Sequence, residues 1–355
     1  MTNDNSSEKK KTGRYLLRAF LFALGFVAIF LIVSPVFNVS NKSSEHAEMV
    51  IKGYYDYPEN QADIVFIGNS YVFAFWQDAF AFREKGVASA TFASGGMPGY
   101  CAIDVTEEAL KTQNPKVICI PVRMFMMDDE EDSNKIYYLI PNMKLSATKF
   151  RMIRRFCDYL DIAPLDRIDY YIPFFRFHSR WEELQERDFS QIYESYLNSN
   201  YVNSFLADTV KKCYRTYSSD SEPMPEDCEK VFRDYLDYCK EKDLPVLFYF
   251  SPYWGEDNHV AKTNNYIKQI LDEYGFEYID YNDKDNYEAL QITDCEDMYN
   301  LSHANIRGSF KFTLHFADYL ITKYNLQDRR EDPAYSYWQK GADGYYELAG
   351  AYLKY

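Results

Sequence analysis

The sequence predicts an α/β protein: a mostly parallel sheet covered on both faces by helices, interrupted by a largely helical insertion and preceded by one membrane-spanning helix. Three observations carry this. Buried-strand runs alternate with helical spacing over residues 60–125 and again over 225–325, and strands separated by helices pair in parallel. Between those stretches, from about 124 to 225, the alternation fails and Tyr, Phe and Arg dominate, as in "YYIPFFRFHSRWEEL". At the front, Ala19 to Phe37 is nearly uninterrupted apolar sequence without a charge, long enough to cross a bilayer as a helix.

Taken in order, residues 1–18 form a basic tail, with Lys9, Lys10, Lys11, Arg14 and Arg18 against Asp4 and Glu8. Cationic flanks stay in the cytoplasm, which places residues after about 40 outside. The expectation is a single-pass protein of the cell membrane with its main domain extracytoplasmic. A cleaved signal peptide is the competing reading, but "LIVSPVFNVS" lacks an Ala-x-Ala-like site. Residues 38–60 read as a polar linker. In the main domain, 61–325, Ile64–Ile67 and Val87–Ala93 read as strands, Ala102–Gln113 as a helix and Lys116–Val122 as a third strand. After the insertion, Glu226–Lys242 and His259–Tyr274 read as helices, Val246–Tyr253 and Phe276–Asp280 as strands, and Arg307–Tyr324 as a last amphipathic helix. The Tyr-rich tail, 326–355, carries little strand or helix signal.

Composition narrows the function classes. With 355 residues, 47% of them hydrophobic and 18% aromatic, the chain can build a sizeable core. Its net charge is −15, and since the first 18 residues carry +3, the remainder carries −18. So acidic a body argues against a nucleic-acid partner, because no basic stripe is available to neutralise phosphates. The seven cysteines form no CxxC pair and no Cys/His metal spacing, which argues against a zinc site. Cys119 sits in an apolar run and reads as a core residue; Cys213 and Cys228 are candidates for a bridge. No P-loop, no GxGxxG and no internal repeat occurs, so no metal, nucleotide or other cofactor is implied.

Two separated motifs carry chemistry. "ADIVFIGNSYVFAFW" opens as a strand and breaks at Gly68-Asn69-Ser70. A serine at the start of a helix that follows a strand stands at the carboxyl edge of the sheet, where ligands gather. Its backbone N–H there faces a developing oxyanion. The competing role for Ser70 is a helix N-cap. Far downstream, "DMYNLSHANIRGSFKFTLHFADYL" places His303 in a polar loop just before the last helix. A serine needs such a base to become a nucleophile. Of the other histidines, His46 falls in the linker, His178 in the insertion, His259 near a helix start and His315 inside the last helix.

Together, strand-Gly-Asn-Ser near the front and Asn-x-x-His-x-Asn-x-x-Gly near the end resemble the SGNH (GDSL-like) hydrolase superfamily. More narrowly, they resemble membrane-anchored bacterial members akin to the D-alanyl-transfer protein of lipoteichoic acid synthesis and to polysaccharide O-acetylation proteins. The resemblance implies a three-layer α/β/α flavodoxin-like domain, with Ser70 as nucleophile and His303 as general base. It puts the family's glycine block on "SGGMPGY", with Gly96 and then Gly95 as oxyanion donors beside Ser70. It also implies an envelope glycopolymer or acyl donor as substrate and a membrane O-acyltransferase as partner.

The sequence departs from the family pattern twice. Where the third block supplies an Asn, this chain reads "IPVRMF" with Arg123, either a receptor for an anionic oxygen or phosphate or the partner of a structural acid. Where the family has Asp three residues before the His, this chain has Asn300. In serine proteases the same Asp-to-Asn change lowers turnover by about 10⁴. Three resolutions stand: Asp297 approaches the ring from one turn earlier, a backbone carbonyl orients it, or the protein binds rather than cleaves. Asn305 and Gly308 also match, as turn residues or, for Asn305, as a substrate contact. Arg180 and Trp181 in the insertion read either as an acceptor groove or as an aromatic cluster with a snorkelling arginine. Tyr100 reads as a pocket-rim residue. The expected activity is an acyl esterase or O-acyltransferase; the alternative is an inactive accessory binding protein of the same fold.

Overall fold

The computed structural model describes residues 4–38, 40–126, 134–189, 209, 216–255, 258–293 and 295–353. The chain divides into two compact units, Met1–Ser40 with Ala163–Gln191, and Asn41–Ile162 with Ile192–Tyr355. The proposed insertion is therefore split: its residues 163–191 belong with the N-terminal helix. In that first unit, α1 (Asp4–Val33) runs into a 3₁₀ turn at Ser34–Phe37, where Pro35 ends the regular helix. The stretch Thr12–Phe37, in which an 18-residue window reaches a mean hydropathy of 2.7, is long and apolar enough to cross a membrane. Short helical turns at Ile168–Tyr171, Phe174–Phe177 and Glu186–Phe189 complete the unit, with the Phe174 ring 5.2 Å from Phe30 and 5.1 Å from Phe37.

The second unit is built on a five-stranded sheet: β1 (Ile64–Gly68), β2 (Ser89–Ala93), β3 (Val117–Pro121), β4 (Val246–Phe250) and β5 (Glu277–Asp280). The order is β2-β1-β3-β4-β5, and every pairing is parallel. The four inner and leading strands are buried along their whole length, as expected when both faces are covered and the strands read as continuous apolar runs. Side-chain alternation sorts the two faces. On one, Phe66, Cys119 and Tyr249 join Trp76, Phe312 and Phe316 in the main core. On the other, Phe248 packs against Phe232 and Tyr235 at 5.8 and 6.2 Å between ring centres.

Among the described residues, the helices of this unit include α2 (Lys42–Tyr54), α3 (Ser70–Phe73), α4 (Asp78–Lys85), α5 (Ala102–Ala109), α6 (Ala147–Tyr159), α7 (Glu226–Glu241), α8 (His259–Tyr274), α9 (Lys284–Leu290), α10 (Ile306–Tyr324) and α11 (Ser336–Leu353), with a single turn at Ile136–Leu139. Two of them overturn sequence expectations. The segment read as a linker contains α2, opened by a reciprocal cap between Asn41 and Ser44. It buries Ala47, Val50, Ile51 and Tyr54 completely, and His46 packs on the Phe73 ring. The tail read as featureless contains α11, which buries Trp338, Ala342, Tyr345 and Ala349. Trp338 donates its indole N–H to the Ser89 carbonyl at 2.8 Å, and Tyr345 bonds Gln77 at 3.1 Å. Cys228 is buried and not disulfide-bonded, so the suggested bridge to Cys213, itself outside the described residues, does not form. Cys119 is free and buried, and Cys295 is disulfide-bonded.

Candidate active site

In the sheet order, the chain steps from β1 outward to β2 and then back across to β3. The carboxyl ends of β1 and β3 therefore flank the point where the direction of winding reverses, the usual crevice of open α/β sheets. Ser70 follows β1 and Arg123 follows β3, in a 3₁₀ turn at Val122–Phe125. Gly68 is required there for close approach. A Cβ at that position would lie 2.7 Å from the Pro121 ring and 2.9 Å from Val72. Asn69 caps α3, its side chain accepting the Tyr71 N–H and its carbonyl the Val72 N–H. Asn69, not Ser70, is thus the N-cap, and the Ser70 hydroxyl is left for another partner.

That partner is His303. Its Nε2 lies 2.8 Å from Ser70 Oγ across 233 residues of sequence. The loop that carries it is pinned at its base by an antiparallel bridge between Met298 and Ala304 and by the Asn305 N–H on the Asp297 carbonyl. The Tyr299 N–H also bonds the His303 carbonyl at 2.9 Å. Asn305 caps α10, accepting from the Arg307 and Gly308 N–H groups. Gly308 lets the helix start press on the loop, since a Cβ there would meet the Asp297 carbonyl oxygen at 2.2 Å. The whole Asn-x-x-His-x-Asn-x-x-Gly run is therefore a device for holding one imidazole.

Asn300 decides which ring nitrogen faces Ser70. Its Oδ1 accepts the backbone N–H groups of Ser302 and His303, both at 2.9 Å. Two fixed donors fix the amide's orientation. The same Oδ1 lies 3.0 Å from His303 Nδ1, so Nδ1 carries the proton and Nε2 presents its lone pair to Ser70. Ser302 Oγ stands 3.0 Å from the same Nδ1. Asp297 does not approach the ring: its carboxylate binds Lys311 at 2.6 Å and the Thr293 N–H at 2.7 Å. Burial lowers the His303 pKa to about 4, and the charge of Arg123 adds to the effect.

Arg123 has no acid partner among the described residues. Its guanidinium carbon lies 4.2 Å from the centre of the Tyr71 ring and 4.4 Å from that of Tyr253. Tyr71 in turn stacks on His303, centre to centre 5.3 Å. On the β2 side, a turn at residues 94–97 closes with the Met97 N–H on the Ser94 carbonyl, and Gly96 takes φ +65°, a conformation that favours glycine. A Cβ on Gly95 would meet nothing within 4 Å, so Gly95 borders open space.

Four sequence-selected residues lie elsewhere or serve other ends. Tyr100 is buried, its ring 5.4 Å from Phe156 and 5.0 Å from Tyr159, rather than on a rim. Asn305 is 1% exposed and spends its side chain on the cap and on the Glu296 carbonyl. Arg180 and Trp181 belong to the other unit. There Arg180 binds Asp188 at 3.1 Å and the Asn38 carbonyl, and Trp181 is 65% exposed. Sequence reading missed Tyr71 and Tyr253, although their positions after β1 and β4 on the ligand-bearing edge are a usable signal. Among the described residues, no cluster of three or more His, Cys, Asp or Glu side chains is arranged to hold a metal. In comparisons with known proteins, no family model matches this chain and no curated protein does.

Proposed function

We propose that this chain is a membrane-anchored acyl esterase or O-acyltransferase of the SGNH type, acting on an ester of a cell-envelope glycopolymer. The observation that carries the reading is the 2.8 Å contact of Ser70 Oγ with His303 Nε2, on a ring whose tautomer is fixed by Asn300. The strand order and the site at its winding reversal support the flavodoxin-like assignment. Ser70 Oγ attacks the acyl carbonyl as His303 Nε2 takes its proton. The N–H groups of Ser70, Gly96 and Gly95 hold the oxyanion. The leaving alcohol receives the proton from His303, and water or a polymer hydroxyl then releases the acyl group by the reverse steps. A membrane O-acyltransferase that delivers acyl groups is the partner this scheme calls for.

A specific observation favours a second reading, an accessory protein that binds but does not turn over. His303 faces a neutral amide and a nearby cation, both of which leave the imidazolium without support. A serine-reactive fluorophosphonate separates the two. On full-length protein in detergent, the acyl-transfer reading expects labelling that disappears in Ser70→Ala and slows at least tenfold in His303→Ala. Folded wild-type protein that takes up no label would establish the accessory reading instead.

A further inference from the structure

We infer that Arg123 is the receptor for an anionic group, a carboxylate or phosphate, that the ester substrate carries beside its scissile bond. The inference rests on the Ser-His reading of the same site and names the substrate chemistry it selects. Arg123 Nη1 is buried and has no hydrogen-bond partner among the described residues. Other arginines of this unit are matched to acids: Arg151 with Asp104 at 2.8 Å, and Arg329 with Asp63 at 2.9 Å. An arginine keeps its charge at neutral pH, and a buried charge without a counter-charge is costly. The Tyr71 and Tyr253 rings lie against the guanidinium and fix it in place. Stacking of that kind leaves the N–H edge for a planar or tetrahedral oxyanion. Two further buried hydroxyls without partners, Ser94 Oγ and Ser251 Oγ, follow β2 and β4 on the same sheet edge.

The anion would also complete the electrostatics of the base. Among the described residues, the groups that face His303 include Ser70 and Tyr71 from α3, Asn300 and Ser302 from its own loop, and Arg123 after β3. None of these named groups is negative. A substrate anion on Arg123 offsets the one charge that opposes the imidazolium, and so takes over part of what an aspartate does in related sites.

Two measurements on the full-length protein in detergent test this. The first compares kcat/KM for acetyl esters that differ only in a neutral, carboxylate or phosphate substituent on the alcohol. Wild type is expected to prefer an anionic ester at least tenfold. Arg123→Gln is expected to erase that preference, read as the ratio of anionic to neutral kcat/KM within the variant, and Arg123→Lys to restore part of it. The ratio between the carboxylate and phosphate arms identifies the anion. The second follows the His303 ring by NMR during pH titration with and without inorganic phosphate. Phosphate is expected to move the midpoint upward in wild type and not in Arg123→Gln. Equal loss on neutral and anionic esters in Arg123→Gln, or a wild-type ring insensitive to phosphate, would overturn the inference. Fluorophosphonate labelling of Ser70 would still report on the Ser-His reading by itself.

Discussion

At the residue scale, the site turns on an amide standing where a carboxylate is expected. The usual damage of an asparagine there is to admit the wrong imidazole tautomer. Here two backbone N–H groups hold Asn300 Oδ1 toward the ring, so the tautomer survives and only the charge is missing. The sign of the pH effect follows. Burial and Arg123 disfavour the imidazolium, so the neutral base persists down to about pH 4. For a neutral ester, kcat/KM is expected to rise with pH through a midpoint near 4, below the ordinary histidine value of about 6.5, and to stay flat above it. Asn300→Asp is expected to raise that midpoint and to increase turnover at least tenfold at pH 7. A wild-type midpoint near 6.5 would mean that His303 is not buried beside Arg123 under the assay conditions.

At the element scale, the helices that the sequence hides are those that close the core. In α2 the signal exists: Asn41 with Ser44 makes a cap, and Ala47, Val50, Ile51 and Tyr54 recur at helical spacing. Polar residues around them make the segment look like a linker. In α11 the buried positions Trp338, Ala342, Tyr345 and Ala349 also follow the helical period. Three glycines in the same stretch, Gly341, Gly344 and Gly350, lower its intrinsic helix preference. Tertiary packing overrides that preference, through the Trp338 bond to β2 and the contact of Tyr345 with Phe80 on α4, ring centres 5.2 Å apart. Trp338→Ala removes a fully buried indole and its hydrogen bond, at a cost of about 3–5 kcal/mol. The expected outcome is a lowered Tm of the full-length protein, read by thermal melting; an unchanged Tm would show that α11 is not docked on the sheet.

At the scale of the whole molecule, charge and site pull in opposite directions. The body after the first 18 residues carries −18, which would repel an anionic polymer at long range, whereas Arg123, as the proposed anion receptor, would attract it at contact. Salt screens exposed charges over a Debye length that falls from about 30 Å at 0.01 M to about 8 Å at 0.15 M, and screens buried ones much less. For an anionic polymer ester, kcat/KM is therefore expected to rise between those two ionic strengths, while a neutral small ester shows no change. A fall for the polymer over the same range would show that long-range attraction, not repulsion, governs its approach.

The strands, the apolar N-terminal segment and the two halves of the Ser-His motif were readable in the sequence, because each is written in neighbouring residues. Periodicity, a run of apolar side chains and a short polar string need no partner to be recognised. Only the tertiary structure brought Ser70 to His303, turned Asn300 into the ring's orienting group and took Asp297 away to Lys311. It also set Arg123 between two tyrosines, with no acid partner among the described residues. Those outcomes depend on which distant groups compete for the same donor or acceptor, and that competition is settled by packing across the sheet edge, where sequence separation carries no information.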